Sequence, residues 1–212
     1  MSTPPDRRSR KRLATREAIS DVATQLFIQR GFDKVTIDEI AAAADVGRMT
    51  VFNHFPRKED LFFDRDHEVR ALLREAVQQR AAGVAPLEAL HRFAHRLVAD
   101  KNPLVEFSAA SQAFVATTEA SETLKARARA IRDELAQVAA IALAESVGRA
   151  GDDPDARLAA SLLLATWTVA LAEGHLTFRS THKVKSATAA FLARIDQGHA
   201  GLKAAMAGTP YA

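Results

Sequence analysis

Apolar residues in this chain recur at helical spacing and never alternate for long. Ile19, Val22, Ala23, Leu26 and Phe27 lie three and four residues apart, which gathers them on one helix face. Gly31 follows as a helix stop. The next stripe, Ile37, Ile40, Ala41 and Ala44, begins behind Thr36, and Glu39 completes a T-x-x-E capping box there. Asp45-Val46-Gly47 reads as a tight turn, with Val46 plugging the angle between two helices. A second short helix spans Arg48 to His54 and stops at Phe55-Pro56, because a residue before proline avoids the α region. Residues 36–55 thus predict a helix-turn-helix whose second helix carries polar side chains outward, the shape that enters a DNA major groove.

Beyond it, the spacing predicts a long helix from Lys58 past Val77, with Leu61, Val69, Leu72 and Ala76 on its buried side. Gly83 and Pro86 punctuate the chain, and helices follow over roughly 87–100, 104–118, 121–148, 154–179 and 184–206. Asp153-Pro154 starts one of them as N-cap and first helical residue. The expected fold is all-α, with a basic arm over 1–12 that lacks order in free solution, a helix-turn-helix domain over 13–60, and a second helical domain over 61–212. A rigid helix should connect the two domains.

Composition agrees with this pattern. Alanine and leucine dominate, while the 212 residues include only 9 Gly and 7 Pro. With no cysteine, the chain holds no disulfide, no thiolate metal site and no Cys nucleophile. G-x-S-x-G, a phosphate-cradling glycine loop and a convincing acid/base pair are all missing, so neither an enzyme nor a cofactor is expected. The formal charge of +3 suits a local basic face better than a polybasic coat. Arg7, Arg8, Arg10, Lys11 and Arg12 read equally well as a minor-groove arm or as a solvated tail. No apolar run follows the charged start, and no window reaches the roughly 18 continuous apolar residues of a membrane span. The stretch Leu158–Ala172 is broken by Ser161, Thr166 and Thr168. The expectation is a cytoplasmic chain with no membrane partner.

Candidate DNA contacts follow from side-chain chemistry. Arg48 can bond a guanine edge or a phosphate, and Thr50 can bond phosphate or set its methyl against thymine. Arg48, Met49 and Thr50 are expected to read bases. Thr36, Phe52, Asn53, His54 and Lys58 are expected at the DNA backbone, Thr36 and Lys58 because helix N-termini favour phosphate.

Thr15-Arg16, Ile19, Phe27, Gly31, Thr36, Ile40-Ala41, Val46, Thr50, Asn53-His54-Phe55, Lys58 and Leu61 together resemble the TetR family of transcriptional regulators over roughly residues 12–65. Two positions depart from that pattern. Gly47 stands where similar sequences carry Ser or another cap, which costs a few tenths of a kcal/mol. Phe52 stands where Tyr is usual, so a phenol-to-phosphate bond is lost. The resemblance implies a homodimer on a palindromic double-stranded DNA operator, a ligand-binding and dimerisation domain over 61–212, and release by an unknown small-molecule effector. An activator, an effector-independent regulator or a helical partner-binding module remain as alternatives.

Three features of the second domain add to this picture. Leu158, Leu162, Ala165, Val169, Ala172 and Leu176 form one stripe, and Ala187, Phe191, Arg194 and Ile195 another. Exposed, they would pair helices across a dimer; buried, they are core. Phe93, Phe107, Phe114 and Trp167, with Ser108, Ser111, Gln112 and Thr168 nearby and Glu173 beyond, could line a mostly apolar ligand pocket or plain core. His91 and His95, at i and i+4, could hold a metal with His67 or His175, although a chance surface pair is the simpler reading.

Overall fold

The computed structural model describes residues 7–212. Ten α-helices follow one another, and the described residues include no strand. They are α1 (Arg7–Arg30), α2 (Ile37–Ala43), α3 (Arg48–His54), α4 (Lys58–Phe62), α5 (Asp66–Gln78), α6 (Pro86–Ala99), α7 (Ala109–Glu119), α8 (Glu122–Ser146), α9 (Pro154–Thr181) and α10 (Val184–Ala205). The all-α expectation holds.

The chain divides into two compact units. The first takes the chain up to Arg65 together with Ala113–Ala128; the second takes Asp66–Gln112 and Arg129–Ala212. The first unit therefore contains more than the N-terminal helices. It also holds the corner where α7 ends and α8 begins, about a hundred residues further along the chain than α1.

Three local expectations are corrected. Arg7 to Arg12 are helical, as the first turns of α1. Arg and Lys are good helix formers, and extending a helix already anchored at Ile19 requires no new nucleus. Residues 1–6 of the expected arm lie outside the described residues. The helix expected from Lys58 past Val77 is broken between Phe62 and Asp66. Phe62 and Phe63 both pack on Phe114, Phe62 stacked at 4.2 Å and Phe63 edge-on at 5.8 Å. Adjacent residues of a continuous helix cannot face one side, so the backbone turns there. The helix expected from 104 starts at Ala109. Pro103–Val105 forms a 3-10 turn capped by Asn102, and Ser108 and Ser111 then exchange backbone-to-side-chain bonds of 2.9 and 3.2 Å at the start of α7.

The first unit closes on Ile19, Phe27, Ile40, Val51, Phe55, Leu61 and Phe62, with Leu124 from α8. Four of these, Ile19, Phe27, Ile40 and Leu61, are positions of the sequence stripes. Gly31 has φ of +85°, a backbone state that side chains with a Cβ rarely adopt, and it turns the chain out of α1. Buried Ser20 donates to the Leu61 carbonyl at 3.3 Å, locking α1 to α4. Ser121, also buried, donates to Asp33 at 3.0 Å and accepts from the Leu124 amide at 3.4 Å, while Arg127 reaches Asp60 at 3.2 Å.

In the second unit, α9 and α10 form a hairpin joined at His182, whose φ of 54° is left-handed. One face of α9, with Ala159, Leu163, Ala170 and Gly174, is buried. The opposite stripe, Leu158, Leu162, Ala165, Val169, Ala172 and Leu176, is exposed at every position. The α10 stripe behaves differently: Ala187, Phe191 and Ile195 are buried in the unit's own core, and only Arg194 is exposed. Phe191 meets Trp167 and Phe107 there, which accounts for the inward turn. By length and composition α9 is apolar enough to cross a membrane, more so than the sequence reading allows. Its apolar residues are divided between a packed face and the exposed stripe, with half-buried Glu173 among them.

Candidate nucleic-acid interface

The site is built from α1, α2, α3 and the turn between the last two. At the α2 start, the Thr36 hydroxyl accepts from the Glu39 amide at 3.3 Å, and the Glu39 carboxylate accepts from the Thr36 amide at 2.7 Å. Arg30 adds an ion pair to Glu39 at 2.7 Å. The Thr36 amide bond, then Arg30, hold the Glu39 carboxyl down at about 2, so it is ionised throughout the physiological range. The capping box read from sequence is present in full.

Asp45, at φ 53°, and Val46, whose amide donates to the Ala41 carbonyl at 3.0 Å, turn the chain into α3. Gly47 is the N-cap of α3 in extended conformation, without a side-chain bond. Val51 is the buried residue of α3, and it fixes which side faces outward. Arg48, Met49 and Asn53 are exposed, Met49 at 68%, while Thr50, Phe52 and His54 are half-buried. A bulky thioether this exposed on a seven-residue helix has no packing role in the unit.

Arg48 lies 3.0 Å from Asp38 and 5.6 Å from the Phe52 ring centre. Both ionic partners are largely exposed, and such a pair contributes little in water, so phosphate or guanine can displace the aspartate. Burial, with the nearby Arg12 and Arg16 charges, holds the His54 imidazole below its ordinary value. It is therefore neutral at neutral pH and offers a hydrogen bond without charge.

Lys58 is placed differently from expectation. Its ammonium donates to the Phe32 carbonyl at 2.6 Å and sits 4.2 Å from the Phe32 ring centre. Burial lowers its pKa, against the opposing pull of Asp33, Glu59 and Glu39. The side chain braces the turn after α1 and does not project from a free helix end.

Arg16 is the residue that sequence reading left without a role. Its guanidinium donates to the His54 carbonyl at 2.6 Å and to the Asp64 carbonyl at 3.4 Å, and lies 4.0 Å over the Phe55 ring. It ties the C-terminal end of α3 to α1. A signal was available: position 16 falls on the same stripe as Ile19, Ala23 and Phe27, so a charge there needs an inward partner.

Of the expected pocket aromatics, Phe93, Phe107 and Trp167 come together and Phe114 does not. Phe114 stacks on Phe62 in the first unit. Phe93, Phe107 and Trp167 belong to the second unit's core, where Phe107 is 1% exposed. Ser111 serves the α7 start, and Gln112 donates to the His175 carbonyl at 2.9 Å. Glu173 is half-buried. A cleft of about 460 Å³ does open between α5 and α6, and of the expected residues it takes only Phe93, beside Leu72, Arg80 and Arg96. His91 and His95 converge on Asp196 of α10, and His67 and His175 are not part of that group.

The family described as "Bacterial regulatory proteins, tetR family" matches residues 19–64, which carry the geometry above. The chain is 34% identical over 91 residues to the HTH-type transcriptional regulator TcmR of Streptomyces glaucescens, covering 42% of this chain and 40% of TcmR. It is 30% identical over 159 residues to the HTH-type transcriptional repressor BepR of Brucella suis, covering 71% of this chain and 76% of BepR. Native NalD, the secondary repressor of the MexAB-OprM multidrug efflux pump in Pseudomonas aeruginosa, superposes over 88% of this chain and 97% of its own with a TM-score of 0.57 at 21% identity, a likeness of fold. The chain spans about 40% of TcmR's length, and the match to BepR covers most of both chains: this protein belongs to the TetR family.

Proposed function

We propose that this chain is a transcriptional repressor that binds a palindromic DNA operator as a homodimer in the cytoplasm and is released by a small molecule. The observation that carries this reading is the outward face of α3, where Arg48 and Met49 stand exposed on a helix anchored from below by Val51. Arg48, Met49 and Thr50 read base edges in the major groove. Thr36, Phe52, Asn53 and the neutral His54 hold the DNA backbone, as do the cationic side chains from Arg7 to Arg12 in the first turns of α1. BepR, the relative matched over most of its length, is named a repressor, which supports the direction of regulation.

Dimerisation is supported by the exposed α9 stripe. Six apolar positions along one helix stay exposed among the described residues. A second copy of that stripe would cover it, and two α3 helices about 34–36 Å apart would then enter successive major grooves. The chain passes between the two units at Arg65–Asp66, within α7 and within α8, so these are the segments through which ligand binding would reach α3.

Affinity selection of genomic fragments at near-physiological salt tests this reading. Wild type should enrich one palindromic sequence, and the Arg48→Ala/Thr50→Ala variant should lose it. Equal, sequence-blind recovery by both proteins would leave only electrostatic binding and favour a partner-binding helical module.

A further inference from the structure

His91 and His95 lie one turn apart on α6 and both direct Nε2 at one oxygen of Asp196 on α10, at 2.7 Å each. The three ligand atoms stand within 4.8 Å of one another. We propose that His91, His95 and Asp196 form a binding site for a divalent transition-metal ion of the zinc type, clamping α6 to α10.

The geometry sets a low threshold for metal. Ligand atoms around a tetrahedral zinc stand about 3.3 Å apart, given Zn–N and Zn–O bonds near 2.0–2.2 Å. The His–Asp contacts therefore need to open by about 0.6 Å, and the two imidazoles need to close by no more than about 1.5 Å. Side-chain rotation provides both, because Asp196 and His95 are about half exposed. The donor set is two imidazoles and one carboxylate, which suits zinc-type ions over magnesium or calcium. Three protein ligands leave a fourth tetrahedral position for water, as in sites that keep an exchangeable ligand.

The surroundings hold the trio in place. The His199 ring stacks on His91 at 4.2 Å with an interplanar angle of 8°, and His199 lies 3.3 Å from Glu88. Glu88 in turn pairs with Arg92 at 2.7 Å. Burial keeps the His199 imidazole below its ordinary value. At Asp196 burial acts upward, but the bonds from His91 and His95 outweigh it and keep the carboxyl ionised. Without metal the trio is satisfied by two N–H donors on one carboxylate, so the same residues are stable either way.

The test is calorimetric titration of the untagged full chain with ZnCl₂, with MgCl₂ as the control. Wild type should take up one zinc per chain, stoichiometrically at micromolar protein, with no response to magnesium. His95→Ala and Asp196→Ala should each weaken zinc at least as much as the roughly 10–100-fold seen on losing an outer-shell partner. Both positions are exposed enough to fold, which circular dichroism verifies. His199→Ala, which removes no ligand atom of the trio, should weaken zinc less than either of those variants. Absence of binding, equal binding by His95→Ala, or loss in His199→Ala with retention in His95→Ala would each overturn the assignment. None of these outcomes depends on DNA binding.

Discussion

The Tyr211 hydroxyl donates to the Asp153 carboxylate at 2.7 Å, joining the end of the chain to the start of α9. Asp153 also accepts from the Ala156 amide at 3.0 Å, so one carboxylate serves as helix cap and as anchor. The Tyr211 bond, then the Ala156 amide, keep the Asp153 carboxyl below its ordinary value. Burial and the adjoining carboxylate push the Tyr211 phenol up, so it stays a donor. The Tyr211 carbonyl accepts from the Leu87 amide at 3.2 Å, which fixes α6 to the same point.

Removing this anchor should loosen the second unit. Tyr211 is fully buried among Leu87, Leu143 and Met206, so Tyr211→Ala should cost about 3–5 kcal/mol, the range for losing a large aromatic. Tyr211→Phe keeps the ring and loses only the hydroxyl bond, and its loss should be clearly smaller. Thermal unfolding orders the three proteins. Equal midpoints for the Ala variant and wild type would show that the C-terminal residues do not hold α9.

Gly174 faces the buried Phe107 ring, and a Cβ there would stand 2.4 Å from two ring carbons. Alanine is the better helix former by about 1 kcal/mol. The collision should outweigh that gain, because an aromatic ring packed at 1% exposure has little room to move. Gly174→Ala should be net destabilising by about 1–3 kcal/mol in chemical denaturation. A more stable variant would mean the ring swings aside freely.

Glu39 couples the α2 cap to acid. Its folded value of about 2 lies below the ordinary 4.5, so its contribution to folding is full above 4.5. It then fades as pH falls through the interval down to about 2. Acid titrations of stability should therefore be flatter across that interval for Glu39→Gln than for wild type. An NMR titration placing the Glu39 carboxyl at its ordinary value would remove the effect.

Arg16 should matter for DNA binding without touching DNA. Arg16→Ala gives up a charged hydrogen bond to the His54 carbonyl, for a stability loss of about 1–3 kcal/mol. With the end of α3 untied, operator affinity should fall while sequence preference and salt dependence persist. A phosphate contact would instead shift the salt slope by about one. Arg16→Lys should recover only part, because a single ammonium cannot span the His54 and Asp64 carbonyls. Wild-type affinity in Arg16→Ala would show that α3 holds its position unaided.

Sequence by itself determined what depends on near neighbours. The capping box at Thr36 and Glu39, the stop at Phe55-Pro56, the α9 start at Asp153-Pro154 and the outward face of α3 all rest on residues within one helical turn. Those rules are local because helix hydrogen bonds and side-chain rows reach only three or four positions. Tertiary structure decided the rest. Phe62 and Phe63 belong to an unbroken helical pattern until Phe114 arrives to face both. Ser121 meets Asp33 across 88 positions, Tyr211 meets Asp153 across 58, and His91 meets Asp196 across 105. Periodicity tells which face of a helix is buried, but not which helix covers it. The α10 stripe shows the difference: its spacing matched the exposed stripe of α9, and packing against Trp167 and Phe107 turned it inward.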